Sequence, residues 1–379
     1  MYRTNGYKMD FELIKSLRVL TGENLRVLIK VIKVYSRERM RGIKMRYKSF
    51  EEVERVYSKL YRDEKYKETL EMLENIKILI SEDEIKRNFY NIMIDKARSL
   101  FRCNLYDEAL DIIDSLINSN FICPLWRFGA LNNNSRYKGL KAKNDLLRRA
   151  AEKESELKYK VYVPQGYVKE KQYPLFISLH GDGEDAEYHN RFWEPEFLLK
   201  RGFIVVCPQS SQRIAHNSYV WNIKELYFQY EMEENIFDIE NFEMYSSMRE
   251  ELKRCYDSIT QEYSIDHEKI IIGGFSGGAH AAIDMSLSGR IPIKGAILLC
   301  SQRPKSFTVE SAKNAAEKHI KWVFMEGEKD APVQDVEEMI ETLNNFGGSC
   351  NYIINHGIGH WYPDDLENKL DKALGFILN

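Results

Sequence analysis

The run Ile270-Ile271-Ile272-Gly273-Gly274-Phe275-Ser276-Gly277-Gly278-Ala279-His280-Ala281-Ala282 passes from β-branched residues through Gly-x-Ser-x-Gly into an alanine-rich segment of helical character. A serine hydroxyl is a weak nucleophile at neutral pH unless it is lifted from the backbone and set beside a base. A sharp strand-to-helix turn does the lifting. Gly274 and Gly278 flank the serine because a Cβ at either position would collide with the neighbouring chain. The helix that follows aims its N-terminal N–H groups at the place where an oxyanion would form. Gly-x-Ser-x-Gly alone is a weak pattern, which a glycine-rich loop beside a buried strand matches by chance. The strand–turn–helix setting is what makes Ser276 a candidate nucleophile.

A nucleophile of this kind needs a base, an acid to orient the base, and a second oxyanion donor. Upstream, Tyr173 to Leu179 reads as a buried strand that ends in His180-Gly181-Asp182-Gly183. Glycines after a strand let backbone N–H groups face a ligand, which suits the second donor. Downstream, the strand Lys321–Glu326 runs into Gly327-Glu328-Lys329-Asp330-Ala331-Pro332, and Asn351–Ile354 runs into Asn355-His356-Gly357-Ile358-Gly359-His360-Trp361. Serine, then acid, then histidine is one of the chain orders in which such a triad occurs. Each loop also sits at the C-terminal end of a strand, where open α/β sheets collect ligands. Asp330 follows its strand directly, and Asp335, Asp364 and Asp365 compete with it. His360 competes with His356, and the glycines on either side of Ile358 imply a sharply turned approach to His360. His280, one helical turn past Ser276, is expected to pack or support, and His180 to support the oxyanion loop.

On these motifs the chain, from about Lys158 onward, resembles the α/β-hydrolase superfamily, within it the phospholipase/carboxylesterase and dienelactone-hydrolase-like branches. The resemblance implies Ser276 as nucleophile, His360 as general base and Asp330, at the family's Gly-x-x-Asp spacing, as the orienting acid. It assigns the oxyanion hole to the backbone N–H groups of Gly277 and Asp182. It implies hydrolysis of a small-molecule carboxylic ester through an acyl-enzyme. The chain departs from the pattern twice. Many relatives carry a larger residue, often glutamine, after the serine where Gly277 stands, and the position after His180-Gly181 is acidic here.

The elements that must carry these groups form two parts. At 379 residues the chain is too long for one average domain. Residues 1–150 hold 31 basic against 21 acidic side chains, and residues 151–379 hold 24 against 37, which supports two domains, 1–150 and 151–379. The boundary is expected between Leu131 and Glu156, where Asn132 to Ser135 reads as a loop and Lys141 to Glu154 as a charged helix or linker. The second part is expected as an α/β domain with a mainly parallel sheet covered by helices on both faces. Its strands are read at 157–163, 174–179, 203–207, 269–273, 295–300, 321–326 and 351–354. The first part reads as all-helical, over 10–35, 51–80, 84–101 and 106–117. Tyr61-Arg62-Asp63-Glu64-Lys65-Tyr66 and Phe101-Arg102-Cys103-Asn104-Leu105-Tyr106 share an aromatic, a polar turn and a second aromatic opening a helix. This resembles a degenerate tetratricopeptide-like repeat, and a protein partner through this part is an expectation.

Other features narrow the function. Lys30, Lys33, Arg37, Arg41, Lys44 and Lys48 recur at helical steps, but aromatic interleaving is thin there, so a solvated or docked face is expected and no nucleic acid. No His/Cys/Asp/Glu group has zinc-like spacing, and no metal or cofactor is expected. The six scattered cysteines, the polar start and the lack of a membrane-length apolar run point to the cytoplasm, with no membrane span. The aromatic insertion from Gln209 to Tyr245 is expected to roof an acyl pocket, with Trp221 as a wall and Trp361 and Tyr362 at the rim. The rival readings are a prolyl-oligopeptidase-type peptidase, a thioesterase, and an interaction protein with a hydrolase-fold scaffold. No predicted propeller supports the first, and an intact Ser276, Asp330 and His360 argue against the last.

Overall fold

The computed structural model describes residues 47–152, 155–221, 248–330 and 333–379. The helix expected over 10–35, the basic row from Lys30 to Lys44, and Tyr227, Phe228, Tyr230, Phe237 and Phe242 lie outside the described residues. The chain separates into two compact units, one ending at Ile112 and the other running from Ile113 to Asn379.

The first unit contains α1 (Phe50–Arg62), α2 (Tyr66–Glu74), α3 (Ile76–Leu79), α4 (Glu82–Arg87) and α5 (Phe89–Arg102). Helix α6 (Tyr106–Asn118) crosses the division. Ser49 and Ser81 open α1 and α4 by accepting the backbone N–H three residues on, which satisfies an otherwise orphaned donor. Phe50, Val53, Tyr57, Leu73, Ile76 and Ile92 form the core. The single helix expected over 51–80 is interrupted at Glu64, whose φ of 59° ends α1. Asn104, with φ 62°, ends α5 in the same way. The closing bonds match too, Lys65 N to Leu60 O at 2.9 Å and Leu105 N to Leu100 O at 2.9 Å. Across the two turns the rings of Tyr61 and Tyr66 are 5.1 Å apart and those of Phe101 and Tyr106 5.5 Å. The likeness in sequence is a repeated helix–turn–helix.

In the second unit a 3₁₀ segment (Leu125–Leu131) and α7 (Ser135–Glu152) precede the sheet. The Asn144 amide bonds both the N–H and the carbonyl of Cys123, at 2.7 and 3.0 Å. The sheet strands are β1 (Lys158–Tyr162), β2 (Tyr173–Leu179), β3 (Ile204–Gln209), β6 (Ile265–Phe275), β7 (Gly295–Leu299), β8 (Lys321–Gly327) and β9 (Ser349–Asn355). They lie in the order β1-β3-β2-β6-β7-β8-β9. Only β1 runs antiparallel, against β3. All the strands expected from sequence are present. A two-stranded hairpin, β4 (Gln212–Ala215) with β5 (Ser218–Val220), was not expected.

The central strands are continuous apolar runs because both faces are covered. Ile270 and Ile272 of β6, Ala296 and Leu298 of β7, and Trp322 and Phe324 of β8 enter one core layer. Ile271, Ile297 and Leu299, and Val323 and Met325, enter the other. The first layer is closed by α10 (Met248–Glu262), α11 (Gly277–Ser288), α12 (Val309–Glu317) and α13 (Val333–Asn345). The second is closed mainly by α14 (Leu366–Leu378), through Leu366, Leu370, Ala373 and Ile377. Two short helices, α8 (Ala186–His189) and α9 (Pro195–Leu199), lie between β2 and β3. Helix α11 is buried from Gly277 to Ser286, so its one acid needs a partner, and Asp284 receives both Arg249 Nε and Nη2 at 2.6 Å.

Candidate active site

Strand β6 ends at Phe275, α11 begins at Gly277, and Ser276 makes the turn with φ 52° and ψ −119°. A positive φ on a non-glycine residue is strained and persists only where its surroundings over-determine it. Those surroundings are visible. Ser276 N donates to Leu299 O at 2.8 Å, tying the turn to the end of β7. A Cβ on Gly274 would lie 2.7 Å from Leu179 O and from the Gly278 carbonyl carbon. One on Gly278 would run into the backbone of Leu179 and His180. Helix α11 therefore presses backbone to backbone on the end of β2, and only glycine permits the approach.

His360 Nε2 lies 2.8 Å from Ser276 Oγ, and His360 Nδ1 lies 2.8 Å from Asp330 Oδ2. The Asp330 side chain is 15% exposed and that of His360 44%, so the acid is sheltered and the base faces outward. Their loops are laced together by Glu328 N to Asn355 O at 3.0 Å and Lys329 N to Ile358 O at 2.9 Å. A Cβ on Gly327 would strike the backbone at Ile358 and Gly359, which is why glycine ends β8. The competitors are elsewhere. His356 is exposed and bonds Glu328 at 3.2 Å. Asp335 lies in the first turn of α13, and Asp365 precedes α14 with its carboxylate on Lys369.

In the 180–184 loop, His180 Nδ1–H donates to Gly181 O at 2.8 Å, and Nε2 accepts from Ser210 N at 3.2 Å. Burial pushes this imidazole down to about 4 and keeps it neutral. His280 is likewise buried, pushed down to about 3, and accepts Gln302 N at 2.7 Å. Gly181 N donates to Glu184 Oε2 at 3.0 Å and Gly183 N to Tyr219 O at 2.7 Å, so the amides on both sides of Asp182 are used inside the loop. The hairpin braces the loop further, through the Glu184–Tyr219 bridge and Ser218 Oγ to Gly183 O at 2.9 Å.

The two departures from the family pattern meet here. A Cβ on Gly277 would fall within the Asp182 carboxylate. The volume left empty by the missing side chain after the serine is thus filled by the acidic one from the loop. Asp182 Oδ1 is held in place by Trp221 N at 2.8 Å. Trp221, expected as a pocket wall, is 1% exposed, and its indole N–H donates to His180 O at 2.7 Å. Trp361 is partly buried, edge-on to Phe192 at 5.3 Å between ring centres. Tyr362, expected at the rim, is instead 4% exposed, because its hydroxyl bonds buried His189 and Glu184.

Among the described residues one group could gather around an ion: Cys300, Asp330 and His360, with ligand atoms within 4.8 Å of one another. Burial, with Glu326 and Asp330 nearby, pushes the Cys300 thiol well up. Asp330 and His360 already bond each other, and these residues fit a hydrogen-bonded line better than a metal cage. Sequence reasoning passed over two acids beside the site. Glu326 Oε1 accepts Ser301 N and Oγ at 3.0 and 2.9 Å, and burial pushes it up to about 8. Glu184 is the second, and its only signal is its place in the loop after β2.

Compared with known proteins, residues 167–377 match the family model described as Phospholipase/Carboxylesterase, which is more than half of the chain. Among solved structures, an uncharacterized protein from Bacillus cereus ATCC 10987 is 20% identical, with 87% of this chain and 98% of that chain covered and a TM-score of 0.43. The Bacillus cereus carboxylesterase is 18% identical, covering 60% of this chain and 98% of that one, with a TM-score of 0.44. Esterase PE8 is 18% identical, covering 59% and 99%, with a TM-score of 0.45. No curated protein matches the chain.

Proposed function

Because the chain belongs to the phospholipase/carboxylesterase family and is an esterase-type hydrolase, we propose that it cleaves small-molecule carboxylic esters through an acyl-enzyme formed on Ser276. Ser276 Oγ attacks the acyl carbonyl while His360 Nε2 takes the hydroxyl proton. The carbonyl oxygen becomes the oxyanion, received by the backbone N–H groups of Gly277 and Asp182. Collapse of this intermediate expels the alcohol, which takes the proton from His360. Water then repeats the sequence on the acyl-enzyme and releases the acid. Asp330 accepts Nδ1–H throughout, which leaves Nε2 as the basic nitrogen and stabilises the imidazolium while it exists.

The observation that supports this most is the unbroken line Asp330 Oδ2, His360 Nδ1, His360 Nε2, Ser276 Oγ, with both gaps 2.8 Å. The second support is the strained turn at Ser276, which a structural serine has no need of. All six cysteines are free, and this fits a reducing compartment such as the cytoplasm. Among the described residues no helix is long and apolar enough to cross a membrane. The test is labelling with a fluorophosphonate. The protein should label, and Ser276→Ala should abolish labelling and lower aryl-ester hydrolysis by several orders of magnitude. Full labelling of Ser276→Ala would remove the assignment.

A further inference from the structure

Beyond Ser276, His360 and Asp330, one polar line crosses the site region. Ser178 Oγ lies 3.0 Å from His189 Nε2, His189 Nδ1 lies 2.8 Å from Tyr362 Oη, and Tyr362 Oη lies 2.8 Å from Glu184 Oε2. The same Oε2 accepts Gly181 N at 3.0 Å. The directions follow from the protons available. A tyrosine has one proton, and a carboxylate next to it takes that proton as acceptor. Tyr362 must then accept from His189 Nδ1–H, and His189 Nε2 accepts from the Ser178 hydroxyl. Burial pushes His189 down to about 3, so the ring is neutral and carries one N–H, as this order requires.

The last two members of the line lie in different loops. Glu184 closes the loop that contains the Asp182 amide, and Tyr362 is two residues past His360. The Tyr362 ring lies 4.2 Å from that of Phe275, which precedes Ser276, and Phe275 lies 5.1 Å from the His360 ring. Packing leaves no slack, since a Cβ on Gly181 would come within 2.7 Å of Phe275 and 3.1 Å of Glu184 Oε2. We propose that Glu184 is a positioning residue, whose Oε2 clamps the Gly181–Asp182 loop to Tyr362 and so sets the oxyanion donor against the Ser276–His360 pair. This rests on the serine-hydrolase reading given above. Burial pushes Glu184 up to about 7, while its bonds to Tyr362 and Gly181, which favour the carboxylate, pull it the other way.

Both bonds use one oxygen, and a glutamine amide supplies an acceptor oxygen in the same place. Glu184→Gln should therefore keep the clamp, and Glu184→Ala should release it. With an aryl ester, Glu184→Ala should lose about 10²-fold in kcat, the scale of a displacement near 1 Å, with KM within about threefold. Glu184→Gln should stay within about threefold of the parent. Tyr362→Phe, which removes one of the two bonds, should lose about tenfold, and Glu184→Ala with Tyr362→Phe should be scarcely worse than Glu184→Ala alone. Should Glu184→Ala fail to fold by circular dichroism, Tyr362→Phe decides, and an unchanged kcat there overturns the proposal. So does a folded Glu184→Ala with parental kcat, a loss confined to KM, or a Glu184→Gln as impaired as Glu184→Ala. Absence of fluorophosphonate labelling in the parent protein would instead sink the underlying serine-hydrolase reading.

Discussion

The fit between Gly277 and Asp182 can be tested by a double-mutant cycle. Gly277 has an ordinary helical backbone at the start of α11, where alanine would usually be favoured by up to about 1 kcal/mol. Here its Cβ would fall within the Asp182 carboxylate. The helix cannot withdraw, because Ser276 N is tied to Leu299 O and Gly278 lies against the backbone of Leu179. The 180–184 loop must move instead, at an overpacking cost of about 1–3 kcal/mol. That loop contains the Asp182 amide. If the displacement removes this donor, the barrier rises by about 2.7–4 kcal/mol, which is about 10²–10³-fold in kcat. Asp182→Ala removes the carboxylate atoms that crowd the site and keeps the amide, but it takes an acceptor from Trp221 N. A buried N–H left without its partner costs about 1–3 kcal/mol of stability. In the double variant the added methyl occupies the space the carboxylate vacates. Its kcat should exceed that of Gly277→Ala alone, with a coupling of at least about 1 kcal/mol, or about fivefold. Steady-state hydrolysis of a 4-nitrophenyl ester and thermal melts of all four proteins measure this. A double variant whose losses equal the product of the single losses would refute the spatial compensation.

Two further outcomes follow from the geometry. His360→Ala should abolish aryl-ester hydrolysis as Ser276→Ala does, while His356→Ala, which disturbs only an exposed pair with Glu328, should leave kcat within about threefold; the reverse pattern would transfer the base to His356. Stability to urea should peak near pH 6.5. Below it, unfolding frees buried His180, His189 and His280 and partly buried His216, pushed down to about 4, 3, 3 and 4, to take up protons, outnumbering the protons that folded Glu184 and Glu326 (pushed up to about 7 and about 8) retain and the unfolded chain sheds. Above it the unfolded histidines lose their charge as well, and stability declines while folded Glu184 and Glu326 hold protons the unfolded chain has shed, levelling off once the two ionise; urea melts from pH 5 to 8 that rise steadily through pH 7 would contradict this assignment.

The parts of this molecule legible in the sequence obey local backbone rules. Each central strand is a continuous apolar run because both faces are covered, and this holds whatever lies beyond the sheet. Gly274 and Gly278 announce the turn at Ser276 because no other residue survives the approach of α11 to β2. The strands of the 212–220 hairpin span four and three residues, too few for alternation to register. The break at Glu64 carries no glycine or proline, and only its likeness to the turn at Asn104 marks it. Tyr362 was misplaced because its partner Glu184 is 178 residues away, and a polar pairing over that distance leaves no periodic trace. The same distinction explains the most misleading feature of the site. Along the chain, a glycine after the nucleophile and an acid in the oxyanion loop read as two unrelated departures, each weakening the case for catalysis. In space the carboxylate of one fills the volume left by the other, so each departure is the condition that makes the other tolerable.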